Sequence, residues 1–249
     1  MKENKYDDAV FFQKYSQMSR SQQGLAGAGE WETLRQVLPD FKDKRVLDLG
    51  CGYGWHCIYA AEKGASSVVG IDISRKMLEV AKGKTPFPQV EYQCCAMEDV
   101  DFPAESFDVI LCSLALHYVA DYQSLVEKIC RMLKAGGDFV FTVEHPVFTA
   151  YGSQDWYYND QGEILHFPVD NYYYEGKRTA VFLGERVTKY HRTLTTYLNT
   201  LLAKGFVLTQ VVEPQPPERM MDIPGMRDEM RRPMMLIVAA RKAPARRWE

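Results

Sequence analysis

Residues Val46 to Gly54 read V-L-D-L-G-C-G-Y-G, and this stretch constrains the fold more than any other part of the chain. Val46, Leu47 and Leu49 form the short apolar run of a buried parallel strand, and the glycines that follow allow a sharp turn with close approach to a ligand. A helix has to come next. Trp55, Ile58, Tyr59, Ala60 and Ala61 keep apolar helical spacing up to Gly64, which stands where a helix would end. A second apolar strand, Ser67 to Ile71, is closed by Asp72, which lies 72 − 48 = 24 positions past Asp48. An acid there suits two ribose hydroxyls, because one carboxylate accepts both hydrogen bonds.

The glycine spacing bears on which nucleoside is held. A dinucleotide fingerprint wants glycines at the first, third and sixth positions of the turn. Counted from Gly50, this chain offers Gly50, Gly52 and Gly54, and its sixth position is Trp55. A bulky indole at that point argues against a nicotinamide-dependent oxidoreductase. The pattern D-L-G-C-G-x-G with a downstream acid instead resembles motif I of the class I S-adenosylmethionine-dependent methyltransferases, specifically the type 11 methyltransferase family.

Further segments carry the resemblance in order over roughly residues 44 to 145. Gln89 to Cys94 reads as a third strand, and Ala96-Met97-Glu98-Asp99 resembles the family's adenine-side loop. Many members have an Asp where this chain has Cys94-Cys95-Ala96. Ser106-Phe107-Asp108 opens a fourth strand, Val109 to Cys112, which Ser113 to Tyr118 leave at its carboxyl end. Asp121 suits a helix cap, and Tyr122, Leu125, Val126, Ile129, Met132 and Leu133 form an apolar stripe that runs to Gly136-Gly137. Phe139 to Val143 is a fifth strand.

The resemblance implies an α/β, Rossmann-like seven-stranded sheet of order 3-2-1-4-5-7-6, with strand 7 antiparallel and helices on both faces. It also implies S-adenosyl-L-methionine as cofactor, S-adenosyl-L-homocysteine as product, and methyl transfer by in-line displacement. Gly50 and Gly52, in one turn with Cys51 and Gly54, would lie against the methionine portion, with Asp48 hydrogen-bonded near it. Asp72 would hold the ribose, Ile73 and Met97 would flank adenine, either Glu98 or Asp99 would meet its amino edge, and Ser113 would close the fourth strand beside them. Tyr15, Met18 and Arg20 can cover the cofactor. Arg20 is either a partner of the methionine carboxylate or a surface cation. For acid–base work the candidates are His145, in Glu144-His145-Pro146, and His117, since histidine titrates near neutral pH. Each is as readily a turn or capping residue. His191-Arg192 meets an anionic acceptor or lies on a solvated helix face.

Outside the matched region, helices are expected over Asp7 to Gln17 and Gly29 to Leu38, joined by the polar, glycine-rich stretch Ser19 to Gly27. Pro39 ends the second helix. Residues 1–43 thus form a helical cap. Residues 145–187 hold Tyr151, Trp156, Tyr157, Tyr158 and Tyr172 to Tyr174 without sustained periodicity. A connection this long is usually functional or disordered, and its aromatic content argues against disorder; it reads as a substrate lid. A helix over Thr188 to Ala203, a strand over Phe206 to Val212, a loop over Pro214 to Arg232 and a strand over Met234 to Ala240 complete one domain, 1–249.

A net charge of −3 and a pI near 6.0 supply no overall basic field for nucleic acid. Positive charge does concentrate at Arg227, Arg231 and Arg232 and at Arg241, Lys242, Arg246 and Arg247. No apolar run approaches the roughly 18 residues that span a bilayer, and the amino terminus lacks a signal-peptide profile, so a cytoplasmic protein is expected. The six cysteines show no paired C-x-x-C spacing and read as buried, reduced thiols, with no metal site. The expected activity is methyl transfer from S-adenosylmethionine to a small molecule. A tRNA or protein methyltransferase with an arginine rim, and a non-catalytic S-adenosylmethionine-binding module, are the alternatives.

Overall fold

The computed structural model describes residues 4–244. In chain order they form α1 (Ala9–Ser16), α2 (Ser19–Gln22), α3 (Trp31–Val37), β1 (Arg45–Leu49), α4 (Trp55–Glu62), β2 (Ser67–Asp72), α5 (Arg75–Lys84) and β3 (Val90–Cys94). Then come β4 (Phe107–Ser113), α6 (Tyr122–Met132), β5 (Leu133–Glu144), α7 (Pro146–Thr149), β6 (Tyr157–Tyr158), β7 (Ile164–His166), β8 (Gly176–Phe182) and β9 (Glu185–His191). The chain finishes with α8 (Leu194–Ala203), β10 (Phe206–Val212) and β11 (Met235–Lys242).

Seven strands make one sheet in the order β3-β2-β1-β4-β5-β11-β10. β11 runs antiparallel to both β5 and β10, and the other pairings are parallel. The Rossmann-like order 3-2-1-4-5-7-6 implied by the family resemblance is the order found. Both faces of the sheet are covered, and strand residues alternate between two cores. Leu47, Leu49, Ile110 and Cys112 join α6 and α8 on one side. Val46, Val109 and Leu111 join α3, α4 and α5 on the other. α6 shows why such helices form: Asp121 accepts from Ser124 N at 2.9 Å, and Tyr122, Leu125, Val126, Ile129 and Met132 are all buried.

Strand order reverses between β1 and β4, so a crevice opens at the carboxyl ends of these strands. The register Asp48↔Gly70 and Leu49↔Ile71 brings the ends of β1 and β2 level there. Everything the glycine motif places therefore converges on one side of the sheet.

Several local expectations are corrected. α6 stops at Met132, and β5 starts at Leu133, well before Gly136-Gly137. The expected helix from Thr188 begins only at Leu194, because Thr188 to His191 belong to β9, the second arm of an antiparallel hairpin with β8. The alternation in β9 escapes a hydropathy reading because its inward positions are Val187, Lys189 and His191, two of them polar. His191 and Arg192 are buried, with Arg192 donating to the carbonyls of Val119 and Ala120, so neither lies on a solvated helix face. Of the cysteines, Cys51, Cys57 and Cys112 are buried, whereas Cys94 is exposed and Cys95 and Cys130 are partly so.

Among the described residues, each arginine of the expected rim has an acidic partner. Arg227, Arg231 and Arg232 pair with Asp222, Asp228 and Glu229. The Arg232 side chain, 6% exposed, lies among the rings of Phe148, Trp156 and Phe167, which stand 4.5, 5.0 and 4.8 Å from its guanidinium. Arg241 pairs with Asp138, and Arg246 and Arg247 lie outside the described residues.

Candidate active site

The turn after β1 is clamped to β2, since Gly50 N and Cys51 N both donate to the Ile71 carbonyl, at 2.8 and 2.9 Å. Gly50 has φ +75°, and a Cβ there would stand 2.5 Å from the Ala115 Cβ. Gly54, also at φ +75°, precedes α4, where a Cβ would collide with the Tyr92 hydroxyl. Only glycine satisfies both the left-handed backbone and the close approach at these points.

Asp72 is held from both sides. Its Oδ2 accepts from Gly52 N at 2.9 Å and its Oδ1 from Ser74 N at 2.8 Å. Each oxygen keeps a second acceptor position, as a pair of vicinal hydroxyls requires. Burial raises the carboxyl from 3.8 to about 6, against the lowering effect of those two backbone donors.

One cavity of about 750 Å³ opens from this turn. Gly50, Gly52, Asp72, Ile73, Met97, Glu98 and Ser113 line its sheet side, while Tyr6, Tyr15, Met18, Arg20 and Glu30 close over it from the amino-terminal segment. At its far end stand His117, Tyr118, Glu144, Phe182, Val187 and Lys189. The glycine cradle and the doubly anchored Asp72 fit the nucleoside and amino-acid parts of an S-adenosyl cofactor.

Four residues expected at the site do not line this cavity. Asp48 lies beneath the turn, 1% exposed, accepting from Cys57 Sγ at 3.3 Å. Burial pushes its carboxyl up to about 7. Cys51 and Gly54 shape the turn from behind the wall. His145 turns to the opposite side: its Nδ1 accepts from Val147 N at 3.0 Å, capping α7, and its Nε2 stands 2.8 Å from Glu213 Oε1. It is the residue before proline acting as a helix cap.

Arg20 does line the cavity, yet it is neither a surface cation nor unengaged, because it is hydrogen-bonded to Glu30. His117 also lines it, fully buried. Burial holds its imidazole down at about 4, and its Nδ1 has no partner among the described residues. Beside it, Lys189 bonds to Glu144, and Gln154 completes the triangle at 2.7 Å to Glu144 and 2.8 Å to Lys189. Tyr6, Glu30, Glu144 and Lys189 are wall residues that the motifs did not single out. Only Glu144, next to His145 at the end of a recognised strand, carried a local signal.

Among the described residues, no group of three or more His, Cys, Asp or Glu is arranged to hold a metal ion, and no helix is long and apolar enough to cross a membrane.

The family described as Methyltransferase domain matches residues 47–141. A solved structure from Listeria monocytogenes, assigned to the S-adenosylmethionine dependent methyltransferases, is 55% identical, with a TM-score of 0.84 over 88% of this chain and 99% of that one. An S-adenosylmethionine dependent methyltransferase from Mesorhizobium loti is 41% identical, with a TM-score of 0.81 over 88% of this chain and 100% of that one. A Haemophilus influenzae protein is 32% identical over 244 residues, 95% of this chain and 96% of its own length. The ubiquinone biosynthesis O-methyltransferase of Coxiella burnetii is 36% identical over 112 residues only, 44% of this chain and 47% of that enzyme. This chain belongs to the S-adenosylmethionine-dependent methyltransferases. It is an enzyme of that class, and S-adenosylmethionine is its cofactor.

Proposed function

We propose that the acceptor of the methyl group is a small molecule seated at the far end of the cavity, between His117, Phe182, Val187 and the Glu144–Lys189 pair. The observation that carries this reading is continuity: the same cavity that touches Gly50 and Asp72 runs on to the β8–β9 hairpin. Its volume of about 750 Å³ lies inside the roughly 300–1,000 Å³ usual for small-molecule sites. In this reading Gly50 and Gly52 hold the methionine portion, Asp72 the ribose, and Ile73, Met97 and Glu98 the adenine.

When bound, the sulfonium supplies an activated methyl group and leaves as a neutral thioether. The protein's tasks are then to align the acceptor and exclude water. Residues 145–187, continued into β9, act as the acceptor's lid, with Phe182 and Val187 supplying apolar walls. His117, neutral at physiological pH, receives the proton of an acceptor hydroxyl, thiol or amine on Nδ1, and Glu144 offsets the positive charge that then develops.

The test is a labelled-methyl screen of the protein against low-molecular-weight metabolite extract, bulk tRNA and bulk protein. Label entering the metabolite fraction is the expected result. Label confined to RNA or protein refutes the small-molecule acceptor, and cofactor binding without transfer in any fraction favours a non-catalytic module.

A further inference from the structure

The cavity continues past the inward face of the β8–β9 hairpin. Val187 and Lys189 lie on one face of β9 and Thr188 and Tyr190 on the other, because neighbouring strand residues point to opposite sides, yet all four line the same cavity. The hairpin is a two-stranded sheet, so one edge of β9 is unpaired, and the cavity follows that edge round to the outward face. Lys177 stands opposite Tyr190 in the strand register and lines the cavity with it. Side chains opposed in this way have Cβ atoms about 5 Å apart, close enough for the ammonium and the phenol hydroxyl to meet one group.

Charge is spread unevenly along this wall. Its carboxylates are Glu30, Asp72, Glu98 and Glu144, and none belongs to the hairpin. Glu30 bonds to Arg20, Asp72 to two backbone donors and Glu144 to Lys189, while Glu98 sits on the loop after β3. The acids nearest the outward stretch in sequence are engaged elsewhere: Glu175 accepts from the Thr193 hydroxyl at 2.7 Å, and Asp121 from Ser124 N at 2.9 Å. Of the wall's cations, Arg20 and Lys189 are paired, and Lys5 lies within electrostatic reach of Asp8. Lys177 is exposed, and its ammonium has neither a hydrogen bond nor an ion pair among the described residues. An ammonium and a phenol hydroxyl that both donate into one stretch of cavity suit an anion.

We propose that Lys177, with the Tyr190 hydroxyl beside it, binds an anionic group of the methyl acceptor, a carboxylate or a phosphate, at the end remote from the reacting atom. This contact rests on the acceptor site proposed above and narrows it to organic anions that are uncharged where the methyl group arrives. The two lysines of the wall divide the work by burial. Lys189 is already neutralised by Glu144, and drawing it away would strand a buried carboxylate. Lys177 meets an anion without leaving any partner behind. Because it is exposed, its attraction is screened by salt over about 8 Å at physiological ionic strength, so it captures and orients the acceptor and leaves the chemical step to the inner wall.

Labelled-methyl transfer to a low-molecular-weight metabolite extract, split beforehand on an anion exchanger, tests it. With the wild type, label should enter the retained fraction and not the flow-through; label in the flow-through alone overturns the proposal. Phosphatase treatment of the retained fraction then separates the two sources, since a phosphate acceptor is lost and a carboxylate acceptor survives. Initial rates are next followed against dilution of that fraction. At high dilution, Lys177→Gln should be slower roughly 3- to 10-fold and Lys177→Glu at least about 10-fold, as expected for a partly solvated charged contact. Lys177→Arg should recover most of the loss, and concentrated extract should bring the Gln variant close to the wild-type rate, which marks an effect on KM. Wild-type rates for Lys177→Glu at every dilution refute the anion contact, as does an equal loss of S-adenosylhomocysteine affinity, which would mark a structural lysine. Label absent from both metabolite fractions but present in RNA or protein would instead remove the small-molecule acceptor on which the contact is built.

Discussion

Replacing Asp48 by Asn isolates the effect of a buried acid beneath the cofactor turn. Asp48 is 1% exposed, its Oδ2 accepts only from Cys57 Sγ, and its Oδ1 has no partner among the described residues. Burial raises its carboxyl from 3.8 to about 7. A folded-state pKa above the unfolded value means the native state binds the extra proton between those limits. The associated stability is fully present below about pH 4 and is lost as pH rises through about 7. At about 1.4 kcal/mol per pH unit, the loss is about 3 kcal/mol between pH 5 and 7 and about 4 kcal/mol in all, as an upper bound. Asn keeps the size and an acceptor for Cys57 but cannot ionise. Urea unfolding of the cofactor-free wild type and Asp48→Asn at pH 5, 6, 7 and 8 reads the difference; groups uncoupled to Asp48 cancel in the comparison, and the smaller contribution of Asp72, whose charge also raises the Asp48 carboxyl, is included in it. The variant should gain on the wild type by about 1 kcal/mol per pH unit up to pH 7 and then level off. A difference that stays flat across this range refutes the claim that Asp48 is kept protonated by its surroundings.

Three further outcomes are expected. Asp72→Ala should weaken S-adenosylhomocysteine binding by roughly 1–3 kcal/mol through loss of charged hydrogen bonds, with little change in melting temperature; calorimetry showing wild-type affinity contradicts the ribose role. Gly50→Ala forces a side chain onto a backbone at φ +75° and into the Ala115 methyl, so unfolding should be easier by at least ~1 kcal/mol, and a denaturation midpoint equal to wild type would show that the turn relaxes freely. His117→Gln should lower kcat at least ~100-fold if its ring takes the acceptor's proton, while the affinity for S-adenosylhomocysteine stays unchanged; an equal loss of kcat and of that affinity would make His117 a structural residue.

The cofactor half of the molecule was legible because its signals are local. Val46 to Gly54 and Ser67 to Asp72 each carry strand, turn and acid within a few residues, and parallel strands buried on both faces have near-continuous apolar runs. The seven-strand order came through resemblance to a family, since periodicity alone cannot order strands. β9 was hidden because its inward face is Val187, Lys189 and His191, and polar residues become buried only when a distant partner satisfies them. Glu144 and Gln154 do this for Lys189, and Thr149 does it for His191 at 2.8 Å. His145 misled for a related reason. The sequence places His145 at the end of β5, but which side of the chain the ring takes depends on the following proline and on Glu213, 68 residues away (213 − 145).

The two ends of the cavity handle charge in opposite ways, and this difference organises the functional reading. Under the cap, Glu30 Oε2 has no partner among the described residues, and each Asp72 oxygen keeps a second acceptor position for the proposed ribose contact. Around the β8–β9 hairpin, Lys189, Glu144 and Gln154 satisfy one another beside Phe182, Val187 and the neutral ring of His117, and Lys177 and Tyr190 of the same hairpin also line the cavity. A buried cation and anion already bonded to each other offer little to a charged acceptor, since engaging one strands the other at a cost of several kcal/mol. The proposed acceptor is therefore selected at its reacting end by shape and apolar contact, with His117 Nδ1 as a buried polar atom that has no partner among the described residues, while the exposed Lys177 also lines the cavity. A labelled product whose acceptor carries its charge at the methylated end would break that division, whereas an uncharged reacting end is what these walls require.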